Sequence, residues 1–361
     1  MSSFFSQAIQ KSWLTKGTLN YLLLPLSKVA EYFAEKKRHA YLSGQKKTYK
    51  APVPVIVVGN IFIGGTGKTP LTLALVDALK QRGYTPGIIS RGYGVQLGEF
   101  ARFADLSQTP AVLPHQATAE TLSRFIGDEP SLLAQVAPIA VHPTRAKAVE
   151  CLLQNNAHID VIISDDGLQH YALARDIEIV VQDARGVGNG WMLPAGPLRE
   201  PISRLQSVDF VVTNDTHLFQ QSDTQATLNS TKPQSIAMQL ALVEFEHLRN
   251  GQRLPLADFL AQYQQHSITA IAGIGNPNRF FQSLTAAGIK LTQQQAFSDH
   301  HHFSPEDLSP YHQGLLLMTS KDAIKCQTFA QDNWWVAHVK AQFKPDNFFD
   351  VIHQQLTQLS R

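Results

Sequence analysis

At 361 residues with 43% hydrophobic content, the chain has the length of two domains, or of one domain with a large lobe, and the composition of a globular protein. Its two cysteines, Cys151 and Cys326, stand far apart without metal-ligand spacing, which argues against a disulfide framework and fits a reducing compartment. The net charge of +2 hides an asymmetry: residues 1–50 hold nine Lys/Arg against two Asp/Glu and the remainder holds 22 against 27, so the bulk of the protein is not a nucleic-acid binder.

The basic end comes first in the chain. It has no uninterrupted apolar stretch of membrane-spanning length and no signal-peptide pattern. Leu22, Leu26, Val29, Ala30 and Phe33 recur at the spacing of one helix face, with Trp13, Tyr21 and Tyr32 nearby. Lys36, Lys37, Arg38, Lys46, Lys47 and Lys50 follow. Each basic side chain near an anionic leaflet contributes on the order of 1 kcal/mol, so this amphipathic helix can lie in the plane of an anionic membrane surface. It can equally pack that face on the protein's own core. Pro25 is expected to start or kink it.

The apolar run Val53–Val58 reads as a buried parallel strand, and Leu71–Leu79 as a helix. Between them stand Phe62, Ile63, Gly64, Gly65, Thr66, Gly67, Lys68 and Thr69. Strand, glycine-rich turn, Lys-Thr and helix form the context of a phosphate-binding loop. The glycines let several N–H groups converge on one anion, and the helix N-terminus adds its dipole. Lys68 supplies a charge for the β- and γ-phosphates and Thr69 a hydroxyl for Mg2+. Phe62 occupies the position where the usual spacing has glycine.

Further motifs fall at strand ends. Ser90-Arg91-Gly92-Tyr93-Gly94 either presents Arg91 to a phosphate or is plain turn chemistry. In Gly127-Asp128-Glu129-Pro130, the residues by themselves favour a helix cap. Asp165-Asp166-Gly167-Leu168-Gln169-His170 follows an apolar strand, the expected place for carboxylates that orient Mg2+. The Gly/Pro-rich stretch 188–201 is long enough to be functional, and offers Arg199 as a phosphate clamp and Glu200 as a metal or hydroxyl contact. Phe297–Phe303 concentrates His300, His301 and His302. One histidine acting on a nearby carboxylate or phosphate suits this run better than zinc. Thr319–Asp322 faintly resembles a guanine-reading box but fits a helix cap better.

Strand-like and helix-like segments alternate, which predicts an α/β protein with a mostly parallel sheet and helices on both faces, of the P-loop NTPase type. The expected division is a basic membrane-associating segment over 1–50, a P-loop kinase core over 51–215 and a smaller C-terminal α/β lobe over 216–361. Residues 215–265, rich in Gln, Ser and Thr, read as the junction.

In their joint order these motifs resemble the tetraacyldisaccharide 4′-kinase family, over nearly the whole chain. The resemblance implies transfer of the ATP γ-phosphoryl group to a lipid A disaccharide precursor at the cytoplasmic face of a bacterial inner membrane, with no obligatory protein partner. It implies Asp128 as the catalytic carboxylate, with His300 as its partner, and Lys68 and Arg199 at the phosphates. Thr69, Asp165, Asp166 and Glu200 fall at the metal. Arg91, Tyr93, Gln169 and His170 lie in matched segments as candidate substrate contacts. This parse places Asp128 on the core and His300 on the smaller lobe. The rivals are a regulatory GTPase and a soluble P-loop kinase or ligase whose basic end is purely structural.

Overall fold

The computed structural model describes residues 12–115, 117–118, 121–224, 232–299, 301–311 and 313–359. The chain falls into two compact units. The first comprises Met1–Pro114, Leu133–Gln239 and Phe343–Arg361; the second comprises His115–Leu132 and Leu240–Gln342. Asp128 therefore belongs with the second unit, whereas the sequence parse had placed it on the core. The last helix, Phe348–Leu359, returns to the first unit and packs on helix Lys68–Gln81.

Among the described residues there are thirteen strands: β1 (Val55–Gly59), β2 (Pro86–Ser90), β3 (Arg102–Ala104), β4 (Ile139–Val141), β5 (Val161–Asp165), β6 (Ile177–Asp183), β7 (Phe210–Asn214), β8 (Gln234–His247), β9 (Arg253–Pro255), β10 (Ile268–Ala272), β11 (Gln293–Ala296), β12 (Leu315–Thr319) and β13 (Trp334–Lys344). In the first unit they run in the order β3-β4-β2-β5-β1-β6-β7-β8. All these pairings are parallel except β3 with β4. Strands β1, β2 and β5 are buried at every residue, as a parallel strand covered on both faces must be. Strand β1 lies between β5 and β6, with Val58 level with Asp165 on one side and Ile179 on the other. The acidic end of β5 thus sits beside the loop that leaves β1, at the carboxyl edge where ligands of such sheets bind.

In the second unit β10 pairs in parallel with β11 and β12, and β12 with β13. The period-2 alternation divides the strand residues between two cores. Leu315, Leu317, Trp335 and Ala337 join Phe245 and Phe259 on one face. Leu316, Met318, Trp334 and Val336 join Cys326 and Phe303 on the other.

Residues 215–265 are not a plain junction. They contain the 14-residue β8, the short β9 paired to it in antiparallel fashion, and helix Leu256–Tyr263. In β8 the polar Gln234 is itself buried and Gln239 partly covered, while Ile236, Met238 and Phe245 carry the apolar burial.

The amphipathic helix is present as Thr18–Leu42, with Pro25 inside it rather than at its start. Its buried residues are polar. Asn20 Nδ2 donates to Ala195 O at 2.8 Å, and Ser27 Oγ donates to Met192 O and accepts from Ala195 N, each at 2.8 Å. Leu22, Leu26, Val29 and Phe33 face outward, Leu22 being 74% exposed and Phe33 61%. The apolar face is thus not packed on the protein's own core. No helix among the described residues is long and apolar enough to cross a membrane.

Candidate active site

Gly64 and Gly67 take positive φ values of 98° and 104°, which lets the chain fold over the end of β1 before Lys68 opens helix Lys68–Gln81. At Gly67 the space is closed as well. A Cβ there would lie 2.5 Å from Asn214 Nδ2. Asn214, at the end of β7, donates to Thr66 O at 3.2 Å. Asn60 donates to Gly64 O at 3.2 Å and to Thr66 Oγ1 at 3.3 Å. Arg185, held by the Asp183 carboxylate, donates to Gly65 O at 3.1 Å. The loop is therefore braced from three sides, and Thr69 is buried beneath it.

Phe62 has a structural reason to replace glycine. It is buried in the core, bridges to Leu198, and carries the Arg185 guanidinium over its ring at 4.4 Å. Ile63 N donates to Pro197 O at 3.0 Å, so the start of the loop is fixed to the 188–201 segment.

That segment delivers Arg199. Its Nη1 lies 3.1 Å from Asp166 Oδ1 and 3.0 Å from Asn60 Oδ1. Lys68 Nζ lies 3.6 Å from the same Asp166 oxygen. Burial pushes the Asp166 carboxyl upward, but Lys68 and Arg199 outweigh it and hold the group below its ordinary value. Asp166 is also the one described non-glycine residue with positive φ, at 46°, a conformation aspartate tolerates because its short side chain bonds locally. Asp165 is buried, and Ser90 Oγ donates to its Oδ2 at 3.3 Å. Behind the pair, the buried Arg145 donates to Asp165 O at 3.2 Å. Burial draws its pKa down to about 10 against the pull of both aspartates.

Gln169 Nε2 donates to Asn60 O at 3.0 Å, and its Oε1 is buried with no hydrogen-bond partner. His170 is lowered to about 4 by burial and by the charges of Arg145, Arg175, Lys37 and Arg91. Arg91 and Tyr93 lie on an exposed turn after β2. Glu200 does not join the Lys68–Asp166 cluster where a metal role would place it. It is buried and accepts from the Tyr171 hydroxyl at 2.5 Å, with Arg204 Nε 3.5 Å away.

In the second unit, Asp128 and Glu129 occupy the first turn of helix Asp128–Leu133. Lys325 Nζ stands 3.3 Å from Asp128 Oδ2, and Lys321 pairs with Glu129. Both lysines belong to helix Ser320–Cys326, which Thr319 caps by accepting from Asp322 N. The Thr319–Asp322 turn is thus a helix cap. His300 lies outside the described residues. Its neighbour His301 pairs with Asp307 at 3.2 Å and packs between Phe297 and Phe303.

A family profile described as tetraacyldisaccharide-1-P 4′-kinase matches residues 19–357. The chain belongs to this family. Among relatives of the tetraacyldisaccharide 4′-kinase family, that of Bordetella petrii is 43% identical over 99% of this chain and 97% of its own length. That of Vibrio cholerae serotype O1 is 42% identical over 94% and 93%. A crystal structure of the Aquifex aeolicus LpxK in complex with ATP superposes with a TM-score of 0.74 at 26% identity, covering 94% of this chain and all of that one.

For this family member, the sequence offered Lys68, Thr69, Asp165, Asp166, Arg199 and Glu200 for the phosphates and metal, and the structure brings Lys68, Asp166 and Arg199 together. It did not point to Asn60, Arg145, Asn214 or Lys325. Each is a single polar residue at a strand end or on a helix face. The signal that could have found Asn60 and Asn214 is an amide directly after a buried apolar strand, beside the glycine-rich loop.

Proposed function

We propose that this protein transfers the γ-phosphoryl group of ATP to the 4′-hydroxyl of a tetraacylated glucosamine disaccharide 1-phosphate, a lipid A precursor. One observation carries the reading: in a chain of this family, a braced glycine-rich loop sets Lys68 against an Asp166–Arg199 pair. In this reading, the Gly64–Thr69 amides and Lys68 bind the triphosphate. Arg199 is held by Asp166 and Asn60 with its guanidinium directed to the transferred group. Asp128 accepts the proton of the sugar hydroxyl as its oxygen attacks phosphorus and the bond to ADP breaks. Gln169, with a buried acceptor still unsatisfied, and His170, Arg91 and Tyr93 are assigned to the disaccharide.

The oxygen donors beside the loop, the Thr69 hydroxyl and the Asp165 and Asp166 carboxylates, suit Mg2+, which takes one or two carboxylates together with phosphate oxygens. Bound there, Mg2+ would neutralise charge on the phosphates. Glu200 is left out of that set and given a structural role. His300 is retained as the partner of Asp128, which belongs to the unit that does not carry the loop.

The outward apolar face of Thr18–Leu42, followed by its basic run, is assigned to an anionic membrane surface at the cytoplasmic side of the inner membrane. The test is to incubate the enzyme with γ-labelled ATP and the disaccharide 1-phosphate in detergent. Label at the 4′ position supports the reading. Label on a water-soluble acceptor in preference to the lipid, or none at all, overturns it.

A further inference from the structure

Helix Ser320–Cys326 carries two lysines that the transfer chemistry above does not use. The Lys325 side chain is only 7% exposed and that of Asp128 only 17%, with Nζ and Oδ2 3.3 Å apart. An exposed ion pair contributes little. An ammonium withdrawn this far from water is costly to bury unless a carboxylate meets it.

The start of that helix is anchored through a buried carboxylate. Asp322 is fully buried, and its carboxylate accepts from Gly273 N at 3.1 Å and from Thr319 Oγ1 at 2.7 Å. This fixes the helix start from which Lys325 projects. Among the described residues, Lys325 of the facing helix pairs with Asp128, and Lys321 of the same helix pairs with Glu129 beside it. His301 and Asp307 in the same unit engage each other. Lys321 pairs with Glu129 and Asp322 is engaged by its cap, while Lys325 stands within ion-pair distance of Asp128.

We propose that Lys325 is a positioning residue for phosphoryl transfer, fixing the Asp128 carboxylate in place and keeping it ionised to receive the hydroxyl proton. This rests on the reading of Asp128 as the base. Lys325 itself exchanges no proton. The hydroxyl proton goes to Asp128, the sugar oxygen bonds to phosphorus, and ADP leaves.

Steady-state turnover against pH in K325M, K325R and D128N, with ATP affinity by calorimetry, tests it. K325M should lower kcat roughly 10- to 100-fold, since misplacing a base forfeits part of its contribution. ATP affinity should stay within about twofold. The acidic limb of kcat/KM should move up by about one pH unit as the carboxylate loses its cation. K325R should recover most of both. A purely structural lysine would not move the acidic limb.

Wild-type kcat and pH profile in K325M would overturn the proposal, as would K325R no better than K325M while ATP affinity is kept. If K325M fails to bind ATP, K325R decides alone: near-wild-type turnover with an unmoved acidic limb supports the role, and a loss equal to that of D128N refutes it. Full turnover in D128N would instead refute the base reading. An inactive D128N beside an unaffected K325M would sink only the role of Lys325.

Discussion

Asp166 concentrates the electrostatics of the loop: two cations share one carboxylate, at a backbone conformation few residues accept. Asp166→Asn keeps that conformation and removes the charge, so turnover should fall roughly 100-fold with the fold intact. Asp166→Ala adds about 1 kcal/mol of backbone strain to the same loss, readable as a lower urea midpoint than that of the Asn variant. Lys68→Ala should weaken ATP binding and turnover together, whereas Asp128→Asn should abolish turnover with ATP still bound. Calorimetry beside kinetics separates the two.

His170 gives a pH prediction. Its folded pKa, about 4, lies below the ordinary 6.5, so the neutral form is the one the fold accepts. The stability it supports is present above about 6.5 and is lost as pH falls towards 4. The thermal transition of His170→Gln should therefore drop less across that window than the wild type's. At this scale, glycine punctuation made Lys68 and Thr69 legible. Asn214 and Arg145 were not, because a lone polar residue after a strand looks like any turn. The partners of Glu200, the Tyr171 hydroxyl and Arg204, were not legible either, because sequence adjacency to Arg199 does not show which way a side chain points.

The helix Thr18–Leu42 reverses the usual arrangement, burying Asn20 and Ser27 and exposing its leucines. Ser27→Ala leaves Met192 O and Ala195 N without their buried partner and should cost about 1–3 kcal/mol in urea unfolding. Replacing Leu22, Leu26, Val29 and Phe33 together by serine should leave the thermal transition unchanged. Partition onto vesicles of anionic lipid should fall steeply, since burial of each such side chain contributes roughly 1.5–3 kcal/mol. Unaltered partition would remove the membrane assignment. The periodicity of this helix was legible, but its orientation was not. Two polar side chains that bond to a segment more than 160 residues away decide it. Strand β8 was hidden for the opposite reason, since a buried Gln234 and a partly covered Gln239 blur its alternation.

At the scale of the molecule, the parallel sheet of the first unit could be read from its apolar runs, Val53–Val58 first among them, because strands covered on both faces carry no other pattern. The membership of the units could not be read that way. Residues 115–132 join the second unit and 343–361 the first, across long stretches of chain. Asp128 thereby sits with Lys325, which no linear division shows. In the proposed mechanism everything turns on the Gly64–Thr69 loop gripping the triphosphate of ATP, with Lys68 and Arg199 on the group to be transferred. A crystal structure of the Asp128→Asn protein with a nonhydrolysable ATP analogue tests it most directly. Triphosphate density is expected over the loop amides, with Lys68 and the Arg199 guanidinium on the terminal phosphate. A nucleotide bound elsewhere, or one whose terminal phosphate touches neither side chain, would contradict it.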